Sequence, residues 1–135
     1  MIDRPTLLVA ALVLDNTECI LLTRHAPYRK WHLPDGDVRF GESLTDALVR
    51  SFEEDFGITP LLLDTNPWYV NETIREGRVH YVTHYLRAIV QKATPLKPRE
   101  GLETMRLDLL AGYSVGGLLP ATVDAIDVAS WQNLL

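Results

Sequence analysis

The sequence has only one cysteine, Cys19, in 135 residues, so no disulfide can form within the chain and a reducing compartment is expected. It also lacks a secretory leader: no basic stretch, apolar core and small-residue cleavage site open the chain, which makes the cytoplasm the expected location. The apolar run Thr6 to Leu14 is about half the length of a membrane-spanning helix, and Asp15 ends it, so no membrane partner is expected. Positive charge is scarce as well. Thirteen Lys and Arg against 18 Asp and Glu leave a formal charge of -5, which argues against a surface that neutralises nucleic-acid phosphates. A small anionic ligand is still compatible, because a bound divalent cation inverts the local charge. Repeats, low-complexity tracts and linkers are missing too. With 47% hydrophobic residues, the chain is expected to fold as one domain over residues 1–135.

Apolar runs at Thr6 to Leu14 and Cys19 to Arg24 flank the turn formers Asp15 and Asn16, and predict two strands. Trp31 to Pro34 reads as a short extended piece, and Asp35-Gly36-Asp37 as a turn whose glycine takes positive φ. Further strands are expected at Ile58 to Leu63, Trp68 to Thr73, Val79 to Gln91 and Met105 to Leu109. Thr94 to Gly101, with two prolines, is a loop, and Ala121 to Leu134 a closing helix after Pro120. Strands before, between and after two helices give an α+β fold, a mixed sheet with helices on its faces.

The first helix carries the chemistry. Ser43 is its N-cap, with Asp46 three residues on, and Gly57 closes it. On a helical wheel Leu44, Leu48, Phe52, Phe56 and Val49 form the packing face. Asp55 projects at about 20° from Leu44, inside that face, with Glu54 near its edge. A carboxylate there loses hydration, which is costly unless a cation or several donors compensate.

Gly36, Glu42, Arg50, Phe52, Glu54, Gly57 and Ile58 match, position for position, G-x5-E-x7-R-E-U-x-E-E-x-G-U, where U is bulky and apolar. The chain therefore resembles the Nudix hydrolase family, and the strand pair, Trp31-His32-Leu33-Pro34 and Leu119-Pro120 extend the likeness over most of its length. The resemblance implies an α/β/α sandwich that hydrolyses a nucleoside diphosphate linked to another group. It implies magnesium, with manganese as an alternative, held by Glu54 and Asp55 with help from the Asp35 or Gly36 carbonyl. Such hard oxygen donors suit magnesium. Arg50 would orient the carboxylates and Glu42 would support the loop. The implied partner is a small nucleotide, and family members often pair as homodimers.

Two positions depart from the pattern. Asp55 shortens one acid by a methylene, and Ser51 stands where much of the family has a metal-binding or basic glutamate, roles a neutral serine fills poorly. The enzyme would then work with fewer metals, or slowly, or the chain would be a binding module. The GDP-mannose mannosyl hydrolase branch is similar in lacking that glutamate, and Thr83-His84-Tyr85 resembles it, which implies attack at a sugar carbon as an alternative. Glu100 and Glu103, in the loop where family members often recruit an acid, are the candidate bases. Arg24, Arg29 and Lys30 are candidates for phosphate oxygens. Tyr28, Trp31, Trp68 and Tyr69 are candidates for stacking on a base or packing the core, with the core expected for Trp31 and Tyr28 and Trp68 taken as the stacking pair. His80 and His84 share a strand face and are weaker candidates for lining the site.

Overall fold

A computed structural model describes residues 4–14, 19–25, 29–91, 95–109 and 117–135. The Asp15-Asn16 turn, Tyr28 and Thr94 lie outside the described residues. The elements are β1 (Thr6–Leu14), β2 (Cys19–Arg24), β3 (Asp35–Asp37), α1 (Leu44–Phe56), β4 (Leu61–Leu62), β5 (Tyr69–Arg75), β6 (Val79–Ile89), β7 (Glu103–Asp108) and α2 (Pro120–Trp131). Among the described residues, no helix is long and apolar enough to cross a membrane.

The sheet is mixed, as its pattern of apolar runs predicts. Its order is β4-β6-β1-β2-β7, with β3 added to β1 and β5 to β6. Among the described strands, β1 and β6 alone run parallel, from Thr6↔Tyr81 to Leu14↔Ile89. Strand β1 reads as a continuous apolar run because both of its faces are covered. Val9, Ala11 and Val13 join the core under α1 with Leu48, Phe52 and Phe56, while Ala10 and Leu12 join the core under α2 with Ala125, Ile126 and Ala129. This is an α/β/α sandwich. β4 is shorter than its apolar run, since Pro60 has no N–H for a ladder, and Ile58 is instead buried in the α1 core.

Helix α1 starts and stops where its caps put it. Ser43 Oγ accepts from the Asp46 N–H at 3.1 Å, and Gly57, at φ 68, donates its N–H to the Glu53 carbonyl at 3.0 Å. The buried face differs in detail from the wheel: Ala47 and Ser51 are buried, and Val49 is only half-buried. The face is rotated because β3 covers one side of it.

The largest difference from expectation is at Asp35-Gly36-Asp37. These residues are a strand and not a turn, paired antiparallel to β1 as Leu8↔Asp37, Val9↔Gly36 and Ala10↔Asp35. Gly36 is not among the positive-φ glycines. It is needed for closeness: a Cβ there would overlap Ser51 Oγ and lie 2.7 Å from Ser51 Cβ. Ser51, 5% exposed, is the small residue that lets β3 lie against the helix. Gly36→Ala is therefore expected to destabilise the protein by about 1–3 kcal/mol through overpacking, and Ser51→Gly in the same chain to recover most of the loss. Thermal unfolding of the single and double variants checks this, and an unrecovered loss would mean that the clash lies elsewhere.

Candidate functional site

Where β3 meets the C-terminal half of α1 the sheet and helix diverge, leaving a cavity of about 370 Å³. Asp35, Gly36 and Asp37 form one wall, Arg50, Ser51, Glu54 and Asp55 the other, with His25 and Arg99 at its edges. The helical period makes the second wall: residues 50, 51, 54 and 55 recur at i, i+1, i+4 and i+5 and so share one side of α1.

Arg50 ties this wall together. Its Nε donates to Glu42 Oε2 at 2.8 Å, and NH2 donates to Glu42 Oε1 at 3.0 Å and to the Asp37 carbonyl at 2.7 Å. NH1 reaches Glu54 Oε2 at 3.3 Å. One planar fork thus joins the loop before α1, the end of β3 and an acid of the cavity. The hydrogen bonds from Arg50, with a further one from the Arg39 N–H at 3.1 Å, hold the Glu42 carboxyl down at about 2. The same bonds to Glu42 push the Arg50 guanidinium upward.

The two acids differ. Glu54 keeps 53% of its side chain exposed to the cavity and solvent, whereas Asp55 keeps 20%. Asp55 has found a cation within the chain: Arg99 Nε donates to its Oδ1 at 2.7 Å, and the Arg99 N–H donates to its carbonyl at 2.8 Å. Asp35 faces them. Burial raises its carboxyl above the usual range, His32 and His25 partly offset this, and the Asp55 charge adds to it. Nearly a third of the Asp35 side chain is still reached by solvent, so the group is crowded and not sealed.

The sequence profile of the NUDIX domain matches residues 4–118. The chain belongs to the Nudix family. An RNA pyrophosphohydrolase of Ruthia magnifica subsp. Calyptogena magnifica is 31% identical over 64 residues, which are 44% of this chain and 36% of that protein. The match thus spans about a third of that relative's length. Two solved structures share the Nudix fold. The MutT protein of Methanosarcina mazei Go1 has a TM-score of 0.75 at 23% identity, covering 98% of this chain and 99% of that one. A NUDIX hydrolase from Nitrosomonas europaea has a TM-score of 0.78 at 18% identity, covering 96% and 90%.

The structure brings Gly36, Arg50, Glu54 and Asp55 of the Nudix box, and Asp35 just before it, to one cavity, with Glu42 behind Arg50. It does not bring Glu100, Glu103 or Arg24 there. Glu103 and Arg24 are register partners on β7 and β2, and Arg24 donates to Glu103 Oε2 at 3.0 Å while stacking 4.3 Å above Trp31. The two pair with each other away from the cavity wall. Glu100 and Arg29 are exposed and off the cavity wall. Trp68 stacks with Tyr69 and Tyr85 against the α2 core, its Nε1 buried without a hydrogen-bond partner among the described residues. His80 pairs with Glu72 at 2.8 Å, and His84 Nδ1 lies 3.1 Å from the Leu8 carbonyl. His25, Asp37 and Arg99 are cavity residues that spacing alone does not flag. Arg99 follows a proline in a loop, and His25 reaches the cavity only through the pairing of Thr23 with His32.

Because the Glu42 carboxyl is depressed in the folded state, its contribution to stability is complete above the ordinary glutamate range near 4.5 and is lost as pH falls through about 2. Glu42→Gln is expected to lower Tm at pH 7, with the gap to the unaltered protein narrowing between pH 4.5 and 2. Melting curves across that range check it, and a gap constant down to pH 2 would remove Glu42 as the titrating partner of Arg50.

Proposed function

We propose that the chain hydrolyses the diphosphate of a small nucleotide with the aid of a divalent cation, magnesium first and manganese as an alternative. The observation that carries this reading is the shared cavity: Glu54 and Asp55 of α1 face Asp35 and Gly36 of β3 across a space of about 370 Å³. The donor set fits the ion. Carboxylate and carbonyl oxygens are the hard ligands magnesium prefers, and a cavity open to solvent suits an ion that keeps several waters. Glu54, Asp55 and a backbone carbonyl of Asp35 or Gly36 would hold it, and once bound it would neutralise the diphosphate and polarise the attacked phosphorus.

The protein's own residues do the rest. Arg50 fixes Glu54 from one side, 3.3 Å away, so that the acid keeps one orientation without being buried. Water attacks a phosphorus as the bond from that phosphorus to the bridging oxygen breaks, and the water's proton passes to Glu54. Arg99, 47% exposed and paired with Asp55, would be free to reach phosphate oxygens if Asp55 held the cation. The partial match to an RNA pyrophosphohydrolase supports hydrolysis of a diphosphate bond as the reaction class.

One observation favours a second reading, a nucleotide-binding module without turnover. Asp55 already has an arginine partner, and Ser51, in place of a glutamate, serves packing against Gly36. Incubation with nucleoside triphosphates, ADP-ribose and nucleotide sugars, with and without magnesium, separates the two. Metal-dependent turnover is expected, with solvent oxygen-18 appearing in phosphate, and Glu54→Gln is expected to lower kcat by roughly 10²–10⁴-fold. Silence across the panel would favour the binding module, label in the sugar would move the attack to carbon, and full activity in Glu54→Gln would exclude it as the base.

A further inference from the structure

Three metal-donor side chains, His25, His32 and Asp35, gather beside the cavity, none of them at a matched position of the Nudix box. Thr23 and His32 form an isolated bridge, with backbone hydrogen bonds of 2.8 and 2.9 Å, and so close the loop that follows β2. The closure stacks the His25 and His32 rings, centroids 5.7 Å apart and planes 22° from parallel. Asp35, three residues after His32, brings its carboxylate within 3.7 Å of His32 Nδ1. One nitrogen of each imidazole and one Asp35 oxygen all lie within 4.8 Å of one another.

We propose that His25, His32 and Asp35 form a second cation site beside the acidic one, selective for nitrogen-seeking divalent metals of the zinc class. Two features beyond proximity support it. His32 Nδ1 lies 2.8 Å from the Leu33 carbonyl and 3.7 Å from Asp35 Oδ2, so the backbone fixes the imidazole with its ring edge toward the carboxylate. Among the described residues, moreover, the one ion-pair contact of Asp35 is with His32, although the carboxylate sits at the floor of two cavities. Metal–ligand bonds of 2.0–2.2 Å in a tetrahedron place donors about 3.3 Å apart, so the widest pair must close by up to about 1.5 Å. His25 is exposed and supplies that movement by side-chain rotation.

The donor chemistry sets the selectivity. Imidazole nitrogens suit zinc, cobalt, nickel and iron, whereas the Glu54–Asp55 side offers oxygens alone. With three protein ligands the fourth position stays open to water or to a phosphate oxygen. Asp35 and His25 line the same cavity as Glu54 and Asp55, so a cation here would meet a bound diphosphate from the β3 side. The site does not require the chain to be a hydrolase.

The test is a cobalt(II) titration of the chelator-stripped full chain, followed by visible absorption. The unaltered protein is expected to develop ligand-field bands that saturate at a single equivalent, disappear on adding zinc and persist in excess magnesium. His25→Ala and Asp35→Asn should each weaken cobalt binding by roughly tenfold or more, with circular dichroism confirming the fold, while Glu54→Gln should leave the bands in place. Bands lost in Glu54→Gln but kept in His25→Ala, or no bands at all, would overturn the proposal. Magnesium-supported turnover reports on hydrolysis alone, so its presence in a protein that fails the cobalt test would reject this site and leave the hydrolase reading standing.

Discussion

A single guanidinium sets the geometry on which the cavity depends. Arg50 is 19% exposed and spans the gap between Glu42 at the start of the box helix, the Asp37 carbonyl at the end of β3, and Glu54 one turn further along the helix. Without it, these three acceptors would converge with only Arg39, at 3.1 Å from Glu42 and 3.9 Å from Glu54, to balance them among the described residues. Loss of one partner of such a network costs more than the pair contributes, because the groups left behind have already lost water. The close seating of Gly36 on Ser51 then fixes the distance between the walls, and Arg50 fixes their orientation.

Most of this could be read along the chain, because it is local. The helix is bounded by caps within a few residues of its ends, and the positions of Arg50, Glu54 and Asp55 follow from a period of 3.6. Strands β1, β2 and β6 show as apolar runs because their neighbours bury them, and β5 as an alternation of half-buried and exposed positions. What escaped was non-local. Asp35-Gly36-Asp37 carries turn-forming residue types, yet pairing with β1 makes it a strand, and the glycine serves close packing instead of positive φ. The Arg24–Glu103 pair arises from β2–β7 register, and the Arg99–Asp55 pair joins residues 44 positions apart; neither shows in a one-dimensional pattern. His25 and His32 come together only because Thr23 bridges back to His32.

The substitutions at Ser51 and Asp55 now have structural meanings that pull in different directions. Ser51 is a packing residue, and a glutamate in its place would have to extend into the cavity instead of under β3. Asp55, at the middle of the apolar arc, is compensated by Arg99 when no cation is present, which explains how a carboxylate is tolerated there. An acid whose charge is balanced by an exposed, movable arginine can exchange that partner for a metal. A buried arginine could not leave so readily.

Joint binding of a divalent cation by Glu54 and Asp55 is tested most directly by manganese uptake, followed by the loss of the free ion's electron paramagnetic resonance signal, in a His25→Ala background that weakens the neighbouring site. Binding is expected there and should vanish when Glu54→Gln and Asp55→Asn are added. Manganese taken up equally well without the two carboxylates would contradict the account.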